Sequence, residues 1–142
     1  MRFRTYIIVL LIALALLALP SLLTSRSSDN PFAETTTMTL NGVPYIFYVA
    51  DTPAKQRRGY MNTTSYDPRG VGAVGMVFLF GENSTWCFWM HDTYIPLRIV
   101  WVSGTRVTKS VLARPLNDTS ICGYGDKVLE IDPRLPAPTI VK

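Results

Sequence analysis

Between Trp86 and Thr93 the chain reads Trp-Cys-Phe-Trp-Met-His-Asp-Thr. Indole and phenyl rings, a thioether, the only histidine of the sequence, a carboxylate and a hydroxyl crowd together there. An ordinary strand does not need so much bulk on both faces. Trp89, His91, Asp92 and Thr93 combine an aromatic face with polar groups, the mixture expected around a bound small molecule. They also stand where a strand gives way to a loop, a frequent place for binding residues. The competing reading is local: Asp92 and Thr93 satisfy backbone donors in a tight turn before Pro96.

Two further chemistries draw on the same stretch. Met61, Met76, Met90 and His91 are soft and imidazole donors, and thioethers with imidazole suit copper(I). Methionine equally fills irregular core gaps, and that is the first expectation for all three. Asp92 and Glu130 are a candidate acid–base pair for a cell-envelope hydrolase, although Glu130 is as well placed to neutralise Arg98 or Arg114. The chain has no Gly-x-Ser-x-Gly elbow, His-Glu-x-x-His or Cys-x-x-Cys, so the common triad and zinc patterns are absent. The sequence calls for no resident cofactor and assigns no catalytic residue.

Positioning these residues falls to short strands. Asn41-Gly42 separates Met38–Leu40 from Val43–Val49 and predicts a type I′ hairpin, with Pro44 pointing to an edge strand. Asp51–Gly59 reads as a short helix: Asp51 or Thr52 caps it, Pro53 suits its first turn, and Gly59 ends it behind basic residues. Asn62–Val71 is a loop. Val74–Phe80 and Thr85–His91 read as two strands around a turn at Gly81–Ser84. Leu97–Val102 and Val107–Ala113 flank Ser103-Gly104 as a second hairpin, and Lys127–Ile131 is a last strand before a Pro-rich tail, Pro133–Pro138. About seven strands, one helix and no βαβ rhythm predict a mainly β, compact antiparallel barrel-like domain.

The N-terminus sets the location. Arg2 and Arg4 precede an apolar run from Tyr6 to Leu23 interrupted only by Pro20 and Ser21. That is a basic region before a hydrophobic helix: an uncleaved anchor, or else a secretory signal. Residues 1–28 are therefore expected to be a membrane anchor or signal, 29–37 a tether, and 38–142 the β domain, outside the cytoplasm. The net charge of +4 belongs to that leader: of 14 Lys+Arg, Arg2, Arg4 and Arg26 lie there, leaving 11 against 10 Asp+Glu. No basic run with interleaved aromatics occurs, which disfavours nucleic acid as a partner. In such a compartment the two cysteines, Cys87 and Cys122, are expected to form a disulfide. Asn62, Asn83 and Asn117 each begin an Asn-x-Ser/Thr glycosylation signal at an expected loop.

Gly59-Tyr60-Met61, Gly75 to Phe80, Phe88-Trp89-Met90-His91-Asp92-Thr93, Ile95-Pro96-Leu97 and Val128-Leu129-Glu130 occur in an order and spacing that resembles the domain of unknown function 192 family, from about Met38 to Asp132. The resemblance implies a small, often exported β-barrel-like domain with no agreed activity. The chain departs from the family pattern at His91-Asp92, where Lys-Asn is usual, and at Arg98, where Asp is usual. It also runs from Arg134 to Lys142 where the family turns into a further strand. The reading is a membrane-tethered extracytoplasmic domain that binds an unknown small molecule or an envelope partner. The alternatives are a copper(I)-handling module and a hydrolase.

Overall fold

Asn41 and Gly42 both take positive φ, 51° and 86°, the backbone twist a two-residue hairpin turn requires. They join β1 (Thr35–Leu40) to β2 (Val43–Ala50), with Leu40 opposite Val43. The structure, a computed structural model, describes residues 28–142. The apolar segment Tyr6–Leu23, with the expected anchor or signal, lies outside the described residues. No helix among the described residues is long and apolar enough to cross a membrane. Within the stretch read as a tether, Thr35–Thr37 already belong to β1 and Phe32 is buried against Tyr48 and Tyr60.

The helix forms as its caps dictate. In α1 (Pro53–Arg58) the Thr52 hydroxyl accepts the Lys55 N–H at 3.3 Å. Gly59, at φ 45°, closes the last turn by donating its N–H to the Lys55 carbonyl at 2.9 Å. The helix and the loop behind it carry the chain across the sheet, so β3 (Ala73–Phe88) runs parallel to β2. The remaining strands, β4 (Leu97–Ser103), β5 (Arg106–Ala113) and β6 (Ile121–Ile131), pair antiparallel, giving the order β1-β2-β3-β6-β4-β5.

Three expectations are corrected here. The sheet is an open, mixed sheet of six strands and not an antiparallel barrel; β2 and β3 pair in parallel, which needs a long crossover, and the helix and loop between them supply it. The two strands expected on either side of Gly81–Ser84 are one strand, β3. Its pairing with β6 skips from Leu79↔Lys127 to Ser84↔Gly125, so the intervening residues bulge outward, and Gly81 supplies the positive φ of 77°. Finally, β6 begins at Ile121, well before Lys127.

Side chains alternate between two buried faces. One face gathers Tyr48, Met76, Phe78, Ile99, Trp101 and Val128, covered by Tyr60, Met90 and Ile95. The other gathers Phe47, Val49, Val77, Val100, Leu129 and Ile131 with Leu40 and Val141. Close approach explains two glycines. A Cβ at Gly75 would meet the Glu130 carbonyl, and one at Gly123 would meet the Trp101 indole. Cys87 lies directly opposite Cys122 on β3 and β6, and the expected disulfide joins them.

The Pro-rich tail ends in pairing of its own. Val141 bridges Leu40 of β1 and Ile140 bridges Arg106 of β5. The Thr39, Asn41 and Val107 N–H groups donate to tail carbonyls, and the Val141 N–H donates to the Thr105 carbonyl, so the tail is fixed to both outer strands.

Candidate functional site

Where β3 bulges, the Phe80 ring stacks on Trp86 with centroids 3.8 Å apart and planes 11° from parallel. Phe88 meets Phe78 edge-on at 4.9 Å and Trp101 at 6.0 Å. Trp86 is held from behind, its indole N–H donating to the Gly125 carbonyl at 2.9 Å. Opposite this wall stand the last turn of α1 and the segment Gly59-Tyr60-Met61. Between them lies a cavity of about 480 Å³ lined by Gln56, Arg57, Arg58, Met61, Phe78, Phe80, Trp86, Phe88, Trp89 and Thr93, among others. That volume is in the usual range for small-molecule sites.

Glu130 also lines the cavity, and it is 5 % exposed. It projects from β6 on the face of Met76 and Phe78, and its Oε2 has no hydrogen-bond partner. A Cβ on Gly59 would stand 3.4 Å from that oxygen and 3.2 Å from the Phe78 ring, so the end of α1 packs directly against the carboxyl and the phenyl ring. Burial pushes the Glu130 carboxyl up to about 8 from its ordinary 4.5, because an isolated carboxylate is costly to desolvate. Glu130 is therefore protonated at neutral pH and can donate a hydrogen bond into an apolar cleft. The suggested neutralisation by Arg98 does not occur. Arg98 pairs across from Ile131 and Glu130 from Ile99, so the two side chains leave opposite faces of the sheet. Nor does Arg114 pair with it: no ion pair to Glu130 exists among the described residues. Burial also raises the Tyr60 hydroxyl, which donates to the Tyr66 carbonyl at 2.8 Å.

Of the four residues expected to surround a ligand, the structure places Trp89 and Thr93 on the cavity wall and His91 and Asp92 outside it. The Trp89 ring lies against the His91 imidazole, centroids 4.9 Å apart. His91 Nδ1 is 2.9 Å from Asp118 Oδ1, and Asp118 raises the imidazole pKa. The Thr93 hydroxyl donates to the His91 carbonyl at 3.1 Å, and the Thr93 N–H to the Met90 carbonyl at 3.2 Å. Asp92 sits in this turn at φ 48°, its carbonyl accepting the Asn62 N–H at 2.8 Å.

Asp92→Ala is accordingly expected to cost about 1 kcal/mol of stability, because alanine tolerates positive φ poorly. Asp92→Gly should cost less, because glycine has no Cβ to strain. Urea unfolding of the two variants checks this; an alanine variant as stable as the parent would refute it.

The methionines separate. Met76 and Met90 are fully buried in the first hydrophobic cluster, while Met61 lines the cavity. His91 stands outside the cavity beside Asp118. Asn62, Asn83 and Asn117 are all exposed. Sequence reasoning missed the cavity role of Arg57, Arg58, Phe80 and Glu130. The signal available was the run of basic residues directly before Gly59-Tyr60-Met61.

The family model for domain of unknown function 192, described as an uncharacterized ACR, matches residues 36–137. A crystal structure of a protein of unknown function from Novosphingobium aromaticivorans DSM 12444 is similar, with TM-score 0.63 and 30% identity, covering 76% of this chain and 84% of that one. A candidate transcription regulator from Sinorhizobium meliloti 1021 shares the fold, with TM-score 0.62 and 22% identity, covering 77% and 93%. No curated protein matches the chain.

Proposed function

The chain belongs to the domain of unknown function 192 family, and from that premise we propose that it is a small-molecule-binding domain whose site is the aromatic cleft beside α1. The observation that carries this reading is the Glu130 carboxyl, buried and without a partner for Oε2 at the cavity. A buried polar group left unmatched costs about 1–3 kcal/mol, and a ligand that accepts its proton would recover part of that. Aromatic walls with few polar groups supply the apolar remainder of such a site.

The reading extends to location. Arg2, Arg4 and the apolar run to Leu23 support tethering at a membrane with the β domain outside the cytoplasm. The Cys87–Cys122 disulfide supports the same side of the membrane, where such bonds persist. Exposed Asn62, Asn83 and Asn117 suit glycosylation in a host with that machinery. A protonated carboxyl in an apolar cavity is also the setting of a general acid. A hydrolase would want a second carboxylate in the cleft, and the cavity lining holds none besides Glu130. Binding is therefore the better-supported reading.

N-phenylnaphthylamine, a neutral aromatic dye that brightens in apolar surroundings, tests it. Saturable binding with energy transfer from tryptophan is expected. Trp89→Ala should weaken it about fivefold, the worth of one aromatic contact. Trp89 is 53 % exposed, so its removal should leave the fold intact by circular dichroism. Dye that fails to saturate, or that binds the variant as well as the parent, would refute the site.

A further inference from the structure

The charges around the cleft are one-sided. Arg57 and Arg58 line it from the last turn of α1, and the only acidic lining residue is Glu130. Neither arginine has an ion-pair partner among the described residues. Both are exposed, so they stand at the mouth while Glu130 is buried. The apolar wall between them is built by Phe80, Trp86 and Phe88.

We infer that the ligand of this cleft is an anionic amphiphile: an aromatic or acyl body against Phe80, Trp86 and Phe88, with one acidic end held by Arg57 and Arg58. The inference rests on the binding reading above and adds the charge and orientation of the ligand. A cationic ligand would enter past two guanidinium groups with a neutral carboxyl as its only inner partner. A neutral ligand would leave both guanidiniums unused. A carboxylate, sulfonate or phosphate matches their forked donors, and the body behind it reaches the aromatic wall.

Glu130 gives the arrangement a pH signature. Protonated, it adds no charge to the cleft; ionised above about 8, it opposes an anion. The titratable and charged groups facing it are few. The α1 side brings Arg57, Arg58 and Tyr60, whose hydroxyl stays protonated well past that range. On β3 the neighbours Met76, Phe78 and Phe80 do not titrate, and Cys87 is in a disulfide. On β4 Ile99 faces it. Affinity for an anion should therefore fall as pH rises from 7 through 9.

The test uses a matched pair of dyes, N-phenylnaphthylamine and anilinonaphthalene sulfonate, which differ by one sulfonate. At low ionic strength the sulfonate is expected to bind about tenfold more tightly, as two exposed charge contacts would supply. The double variant Arg57→Gln/Arg58→Gln should bring that ratio to about one. The sulfonate preference should decline above pH 8 in the parent and stay flat in Glu130→Gln. If neither dye binds, the cleft reading falls and this inference with it. If the neutral dye binds but the sulfonate gains nothing, or gains as much in the double variant, the cleft stands and the anionic ligand is refuted.

Discussion

Glu130→Gln is expected to stabilise the domain at pH 8 by on the order of 3–5 kcal/mol relative to the parent, and to make little difference near pH 4. Burial lifts the Glu130 carboxyl to about 8 from an ordinary 4.5. Between those values the native state holds a proton that the unfolded chain has released. Native stability therefore falls as pH rises through that window, by about 1.4 kcal/mol per pH unit. It levels off once both states are ionised. Glutamine has nothing to release, so the gap between variant and parent should open from pH 4.5 and close to a plateau above pH 8. Any mismatch of the amide with its pocket adds a constant offset, which the pH series separates from the titration. Urea unfolding at several pH values reads the difference directly. A gap that does not change with pH would mean that Glu130 is not the proton-holding group of the cleft. The same variant replaces the carboxyl donor proposed to meet a ligand with an amide donor, so gained stability with altered binding would mark a site kept at a cost to the fold.

Loss of the Cys87–Cys122 bond is the second large effect. The cysteines are 35 residues apart in sequence, and releasing a loop of that length returns about 4 kcal/mol of chain entropy to the unfolded state. Cys87→Ala/Cys122→Ala should lose about that much in urea unfolding, and a reductant should destabilise the parent without affecting the variant. The bond also fastens the outer half of β3 to β6, where Trp86 lies opposite Gly123 and Phe88 opposite Ile121. The reduced protein should accordingly hold the neutral dye more weakly while still folded. Material alkylated directly from the native host should show no free thiol. Two fully alkylated cysteines would refute the bond in the cell and remove its support for an extracytoplasmic placement.

Local chemistry was legible where one or two residues decide it. Asn41-Gly42 predicts the first hairpin and Thr52-Pro53 with Gly59 predicts α1, because turns and caps are set by individual φ values and side-chain acceptors. The pairing of Cys87 with Cys122 was legible because the chain has two cysteines and a leader read as directing it to an oxidising compartment. The long strands were not. Gly81–Ser84 reads as a turn because its composition is turn-like, yet pairing up to Leu79 and again from Ser84 holds it within one strand. Ile121–Asp126, with two glycines, lacks strand propensity of its own; its place opposite Ser84–Phe88 gives it one. Glu130 was named in the sequence without its burial. In a sheet covered on both faces, alternation no longer tells inside from outside, so the side of a glutamate between Leu129 and Ile131 is not set by its neighbours in sequence. Arg57 and Arg58 read as the end of a helix, and only the fold sets them across from Phe80 and Trp86.

The attachment of Thr139–Val141 to both outer strands bears on how the domain assembles. The Asn41 carboxamide accepts from the Thr139 backbone across 98 residues of sequence, nearly the whole domain. Closing so large a loop costs configurational entropy before any contact repays it, so the strap belongs to the final stage of folding, after the strands between have formed. Chains with many such remote contacts fold slowly compared with helical proteins of similar length. During that interval Leu40 of β1 and Arg106 of β5 lack their partners on the strap, and a second unfinished chain can pair at those edges instead. Refolding yield should then depend on protein concentration more steeply than the stability of the finished domain would suggest.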